Sequence, residues 1–266
     1  MAITSLNDYI AALKQRCILT KTATRTSTAL ASMSVFDLAG SPGPGALAGV
    51  STVAGVVPVA ADAGYPNIQA FPAGLRGYLS RLSFGWNVAG RLSLYDRLFV
   101  AGAYAFNADQ VLAGQPSFLN RIPGDLPTAN TELWLETVVA TATGHVVQVY
   151  YTNQNGVPGR TTGAITVGTT AVGRMTQLPL QSGDQAVLSV DRVVSTVATA
   201  GTFNVCVMRP IAADGLRVPL AGFSTTYDML STGLPQIFET SALFLMATPD
   251  STSTQLPFMT AEVAIG

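Results

Sequence analysis

The chain of 266 residues carries 14 Lys and Arg against 15 Asp and Glu, a single histidine, and 11% charged residues in all. Soluble domains average roughly 25% charged residues, and the mean hydropathy here is +0.37. This argues against nucleic-acid binding, which needs a basic face to neutralise phosphates, and leaves little material for acid–base, metal or phosphate chemistry. A surface so poor in charge is weakly protected against association, and low charge marks the cores of protein–protein interfaces. The composition therefore points to a building block covered by neighbours. The competing reading is a monomer with a Ser/Thr/Asn/Gln surface.

The first predicted element is a helix of about a dozen residues. Ser5 and Asp8 have capping-box spacing, and Leu6, Tyr9, Ile10 and Leu13 form one apolar stripe. Lys14 and Arg16 suit the negative end of its dipole. So short a helix is marginal alone, so these four residues are the candidate assembly contacts. Met1 to Ser5 has neither the basic nor the apolar region of a secretory leader. Cys17, just after the helix, is expected to be exposed.

Thr20 to Pro72 is rich in Thr, Ser, Ala, Gly and Pro, with Val35, Phe36 and Leu38 as its few large anchors. Ser41-Pro42-Gly43-Pro44-Gly45 fits neither helix nor strand interior. The uncharged stretch Ala39 to Ala61 is broken by Pro42, Pro44, Pro58 and several glycines, so it does not read as a membrane helix. Residues 1–72 are read as helix plus extended assembly arm, and 73–266 as a β body. Deleting Met1–Arg25 is then expected to leave the body folded and weaken attachment.

From Gly77 onward short β-branched runs alternate with turn signals. Leu82, Phe84 and Trp86 alternate with Ser83 and Gly85, Leu92 and Leu94 flank Ser93, and Glu132 to Val139 reads as a strand. In His145 to Tyr151, odd and even residues face opposite ways, and Asn155-Gly156 with Pro158-Gly159 marks a tight turn. Further strands are expected near 164–167, 175–180, 186–194, 202–209, 236–247 and 258–265. The pattern predicts an all-β fold, an antiparallel β-sandwich or jelly roll with an N-terminal helix and an extended arm.

No constellation of catalytic residues emerges. His145 heads a strand, where a lone histidine is expected at a turn or the surface, and no Gly-x-Ser-x-Gly elbow accompanies it. Glu132 and Glu136 share one strand face, which solvent-facing alternation explains without glycoside chemistry. Asp184 lies in a polar turn unlike a calcium loop. Cys17 and Cys206 have no metal spacing, and Cys206 reads as a buried free thiol. Trp86, Tyr95, Trp134, Tyr150 and Tyr151 read as core rather than as a sugar groove. No catalytic residue, cofactor or metal is expected.

Several segments carry a resemblance. They are Leu92-Ser93-Leu94-Tyr95-Asp96-Arg97-Leu98, Glu132-Leu133-Trp134-Leu135-Glu136, Tyr151-Thr152-Asn153-Gln154-Asn155-Gly156 with Gly159-Arg160-Thr161, Gly173-Arg174-Met175 with Pro179-Leu180-Gln181-Ser182-Gly183-Asp184, and Gly233-Leu234-Pro235-Gln236-Ile237-Phe238. In this order the stretch from about Gly77 to the C-terminus resembles structural proteins of tailed bacteriophages. The resemblance implies a virion component, first of all a head decoration (cement) protein on the capsid surface. Such a protein is made in the host cytoplasm, binds the major capsid protein as a homo-oligomer, with a trimer favoured, and needs no nucleic acid or membrane. A tail, baseplate or fibre component is the alternative, with Asn107–Pro127 and Asn153–Thr162 as candidate receptor loops.

Overall fold

Two long strands, Gly90–Ala105 and Thr202–Leu216, pair along their whole length and organise the chain. The computed structural model describes residue 3 and residues 5–47, 51–124, 130–216 and 224–266, with backbone only at 214–216 and Gln255. Around the two strands a six-stranded sheet forms in the order Met175–Leu178, Glu132–Val139, Thr202–Leu216, Gly90–Ala105, Leu243–Pro249, Met33–Ser34. Every strand pairing among the described residues is antiparallel.

One bulge explains how a single face of this sheet stays apolar. Val207 lies opposite Phe99 but Met208 lies opposite Arg97, so Leu98 is an extra residue. An extra residue shifts the two-residue alternation of a strand by one. Leu92 and Leu94 before the bulge, and Phe99 and Ala101 after it, therefore point to the same side. Each pair feeds its own apolar cluster there.

Two sheets cover that side. The first has the order Ser224–Tyr227, Gly77–Gly85, Phe258–Ile265, Leu13–Lys21, Gly40–Ser41, with Gln236–Ile237 also on Gly77–Gly85. Its Cys17, Leu19, Leu79, Phe84, Met259 and Val263 cluster with Leu92, Leu94, Leu243 and Leu245. The second has the order Arg160–Thr161, His145–Asn153, Val187–Ser195, Asp109–Val111, with Ile165–Val167 also on His145–Asn153. Its Val147, Val149, Tyr151, Val190 and Val193 cluster with Phe99, Leu133, Leu135, Val205 and Val207. The fold is the expected all-β antiparallel sandwich of jelly-roll kind.

The opposite face of the central sheet is apolar too, with Tyr95, Val100, Trp134, Cys206, Phe244 and Met246. Here Phe36, Leu47 and Tyr65, from the Gly- and Pro-rich segment, close it off. Phe36 stacks on Tyr65 at 4.7 Å and on Phe244 at 5.9 Å between ring centroids. Gly64 makes this possible: its φ is +95°, and a Cβ there would lie 2.4 Å from the Phe36 ring.

The N-terminal helix is six residues, Leu6–Ala11, rather than about a dozen. Ser5 caps it, its Oγ accepting the Asp8 N–H at 3.2 Å. It stops because Ala12 is extended and Leu13 begins a strand that pairs residue for residue with 258–265. Ladder bonds with a neighbouring strand outweigh the weak propagation of a short helix. Cys17, expected exposed, is 1% exposed on that strand. The strand's Cys17 and Leu19 belong to the core, so removing Met1–Arg25 would remove a core strand and not a detachable arm.

Candidate functional site

The residues singled out for assembly lie at the start of the chain. Leu6, Ile10 and Leu13 are 59%, 65% and 57% exposed, with Leu13 on the strand and the other two on the helix. Tyr9 is half-buried, its hydroxyl donating to Glu262 Oε1 at 3.2 Å. Burial and the neighbouring Glu262 carboxylate both raise its pKa. Lys14 Nζ sits 4.6 Å from the Tyr9 ring centre and donates to Tyr9 O at 2.9 Å, a helix-end carbonyl. Tyr9 and Lys14 thus hold the helix while Leu6, Ile10 and Leu13 stay on the surface. With Ile18, 51% exposed on the opposite strand face from Leu13, the segment 6–18 carries four exposed large apolar side chains.

The groups considered for chemistry are structural instead. His145 is 1% exposed, not at the surface, with its ring 4.1 Å from that of Phe106. Burial lowers its pKa, against a smaller upward pull from the Thr143 backbone. Glu132 and Glu136 do share a face, but that face is the covered one. Glu132 accepts the Trp134 indole N–H at 2.8 Å, and Glu136 is wholly buried in an ion pair with Arg97. Asp184 ties two turns together, accepting from Arg160 Nε (2.8 Å), Tyr151 Oη (2.7 Å) and Asn153 Nδ2 (2.8 Å). Those bonds, Arg160's first, hold its pKa at about 2. Cys206 is a buried free thiol, its pKa raised by burial to about 12. Among the described residues no three His, Cys, Asp or Glu are grouped to hold a metal ion. No helix among them is long and apolar enough to cross a membrane.

Two buried ionic nodes were missed in the sequence. Asp96 and Arg97 are consecutive on Gly90–Ala105 and so point to opposite faces. Asp96, 0% exposed, sits on the face that carries the two apolar clusters and separates them. It pairs with Arg121 at 2.9 Å and Arg209 at 3.3 Å, and accepts from Ser241 Oγ at 2.8 Å and Ala242 N at 3.0 Å. Arg97 faces the other way, pairs with Glu136, donates to Cys206 Sγ at 3.1 Å, and lies over the Phe36 and Phe244 rings at 5.3 and 4.9 Å. Asn204 Nδ2 joins Glu136 Oε2 at 3.0 Å to Leu47 O at 2.8 Å. One signal was available: a charged dipeptide inside an otherwise apolar run.

The candidate receptor loops are not free either. Residues 107–124 form a strand at Asp109–Val111 and a turn at Leu119–Arg121 that delivers Arg121 to Asp96, while Pro127 lies outside the described residues. Residues 153–162 are tethered by Asp184 and by Asp191 Oδ2, which accepts the Gly159 N–H at 3.2 Å.

No protein-family model matches the chain, and no curated protein matches it. Among solved structures, the chain aligns with the infectious bursal disease virus Gx strain structure at 9% identity, covering 95% of this chain and 81% of that one, with a TM-score of 0.18. It aligns with a mutant VP2 protein of infectious bursal disease virus at 11% identity, covering 95% and 78%, with a TM-score of 0.17. T=1 particles derived from the same virus align at 8% identity over 95% and 78%, with a TM-score of 0.16. Superpositions this loose carry no functional argument.

Proposed function

We propose that this protein is a virion structural component that attaches to a phage capsid shell as a decoration (cement) protein. It acts by burying surface against the major capsid protein and against copies of itself, as a trimer. The observation that carries this reading is the exposed apolar segment of Leu6, Ile10, Leu13 and Ile18 on a chain with 11% charged residues. Leu6 and Ile10 lie one helical turn apart, and neighbouring exposed apolar side chains mark interaction sites. The all-β scaffold and the resemblance of residues 77–266 to tailed-phage structural proteins support it. The ionisable groups engaged in structural pairs support a non-enzymatic role. Burial across subunit boundaries raises the cost of separating them, because binding to the assembled state stabilises that state.

An image reconstruction of the native particle tests the reading. Density for this chain distributed over the head in three-fold groups is expected; density confined to the tail would replace it with the tail or baseplate role.

A further inference from the structure

The strand Leu13–Lys21 has a full neighbour on one side only. On that side residues 13–20 pair in register with 258–265. On the other, only Thr20 and Lys21 meet Ser41 and Gly40, and the Thr22 N–H donates to Ala39 O at 2.9 Å. Alternate residues of an antiparallel strand turn both backbone groups the same way. Thr22 points toward Ala39, so the N–H and C=O of Lys14, Arg16 and Ile18 point along the same edge, beyond the reach of Ser41. Among the described residues no backbone bond uses them. The segment 67–69 approaches this strand but is held by side chains: Gln15 Nε2 donates to Gln69 O at 3.3 Å, Gln15 Oε1 accepts the Gln69 N–H at 2.9 Å, and Cys17 Sγ donates to Asn67 O at 3.7 Å.

We propose that this edge accepts an extended, acidic segment of a partner polypeptide as one further strand of the sheet. The proposal rests on the assembly reading above and names its mode. Strand addition takes affinity from main-chain bonds and specificity from alternate side chains. Here the alternate side chains are Lys14, Arg16 and Ile18, all exposed on one face, with exposed Leu13 on the other. Carboxylates on one face of the incoming strand meet Lys14 and Arg16, and the alternate aliphatic residues on its other face meet Leu13. A second copy of the same strand is a poor occupant: antiparallel pairing about its middle sets Arg16 against Arg16, and like charges directly opposite destabilise. The same two cations blunt the edge against uncharged strands, which selects for an acidic one.

The test uses the full chain and a short labelled peptide alternating glutamate and valine. The peptide is expected to bind, to weaken as salt rises, and to slow exchange of the Lys14, Arg16 and Ile18 amides about tenfold at saturation. Arg16→Pro removes an outward N–H without touching the ladder to 258–265 and is expected to abolish binding. Arg16→Glu, which keeps the backbone intact, is expected to lower affinity about fivefold. Failure of the peptide to bind overturns the proposal. So does equal binding of a lysine–valine peptide or of a peptide N-methylated along its backbone. A dimer of the chain that Arg16→Pro dissociates overturns the choice of occupant. Particle attachment is a separate readout, so attachment without peptide binding removes the edge and spares the assembly reading.

Discussion

Arg97 and Glu136 form an ion pair whose side chains are 2% and 0% exposed, on the sheet face that Phe36, Leu47 and Tyr65 close. The pair is supported rather than isolated. Asn204 reaches Glu136 from the next strand, and the guanidinium lies over two adjacent aromatic rings. Removing one member of a buried pair strands the other without water, at a cost of about 3–5 kcal/mol. Glu136→Leu is therefore expected to lose stability on that scale in urea unfolding. Arg97→Met combined with Glu136→Leu should recover much of the loss. A double variant as unstable as the sum of the singles would show that the two side chains act independently.

Asp96 holds three elements at one point: its own strand, the Leu119–Arg121 turn and the chain before Leu243. Asp96→Asn leaves two buried guanidiniums short of a counter-charge and is expected to cost several kcal/mol, more than Ser241→Ala, which removes one hydrogen bond worth about 1 kcal/mol. Amide exchange at Arg121 and Ile122 should rise in Asp96→Asn. Unchanged exchange there would mean the turn is held by something other than this node.

Acid sensitivity should come in two parts. Burial puts the folded pKa of His145 below its ordinary 6.5. The unfolded chain then takes up that proton first, so stability present above pH 6.5 falls as pH drops toward the folded value. Asp184, held at about 2 against an ordinary 3.8, contributes stability that is present above 3.8 and lost between 3.8 and 2. His145→Leu is expected to flatten the fall in Tm that begins below about pH 6.5 and to leave the lower step intact. An unaltered upper fall would assign it to another group.

Much of the architecture was legible because strands with one buried face alternate. His145–Asn153 was readable residue by residue, and Phe258–Ile265 by its bounds. The length of Gly90–Ala105 was not, because the charged Asp96-Arg97 interrupts the apolar run while its partners Arg121, Arg209 and Glu136 lie far off in sequence. The Leu13 boundary failed for a related reason: helical spacing is local, but the strand that captures Leu13 is 245 residues or more away. Leu6, Tyr9, Ile10 and Leu13 were found as a group by helical spacing, yet that Leu6, Ile10 and Leu13 stay on the surface while Tyr9 is half-buried, and that Leu13 lies on a strand with an open edge, required the fold.

The closure of the back face depends on Gly64 and on Gly45, where a Cβ would lie 2.1 Å from the same Phe36 ring. Gly64→Ala forces a Cβ into the Phe36 ring at a left-handed backbone position and should cost about 1–3 kcal/mol. Limited proteolysis within residues 37–64 is expected to accelerate while the β body remains resistant. Equal cleavage rates would mean that Phe36 is not what anchors the segment.

Attachment through the exposed apolar segment at the start of the chain is measured most directly by co-sedimentation with capsid shells stripped of this protein. Wild-type chain should saturate the shells. The double variant Leu6→Ser with Ile10→Ser, both at exposed positions and so neutral for folding, should bind about tenfold more weakly, the loss of two exposed apolar contacts, with an unchanged Tm. Binding equal to wild type by a folded double variant would contradict the claim that these residues make the attachment.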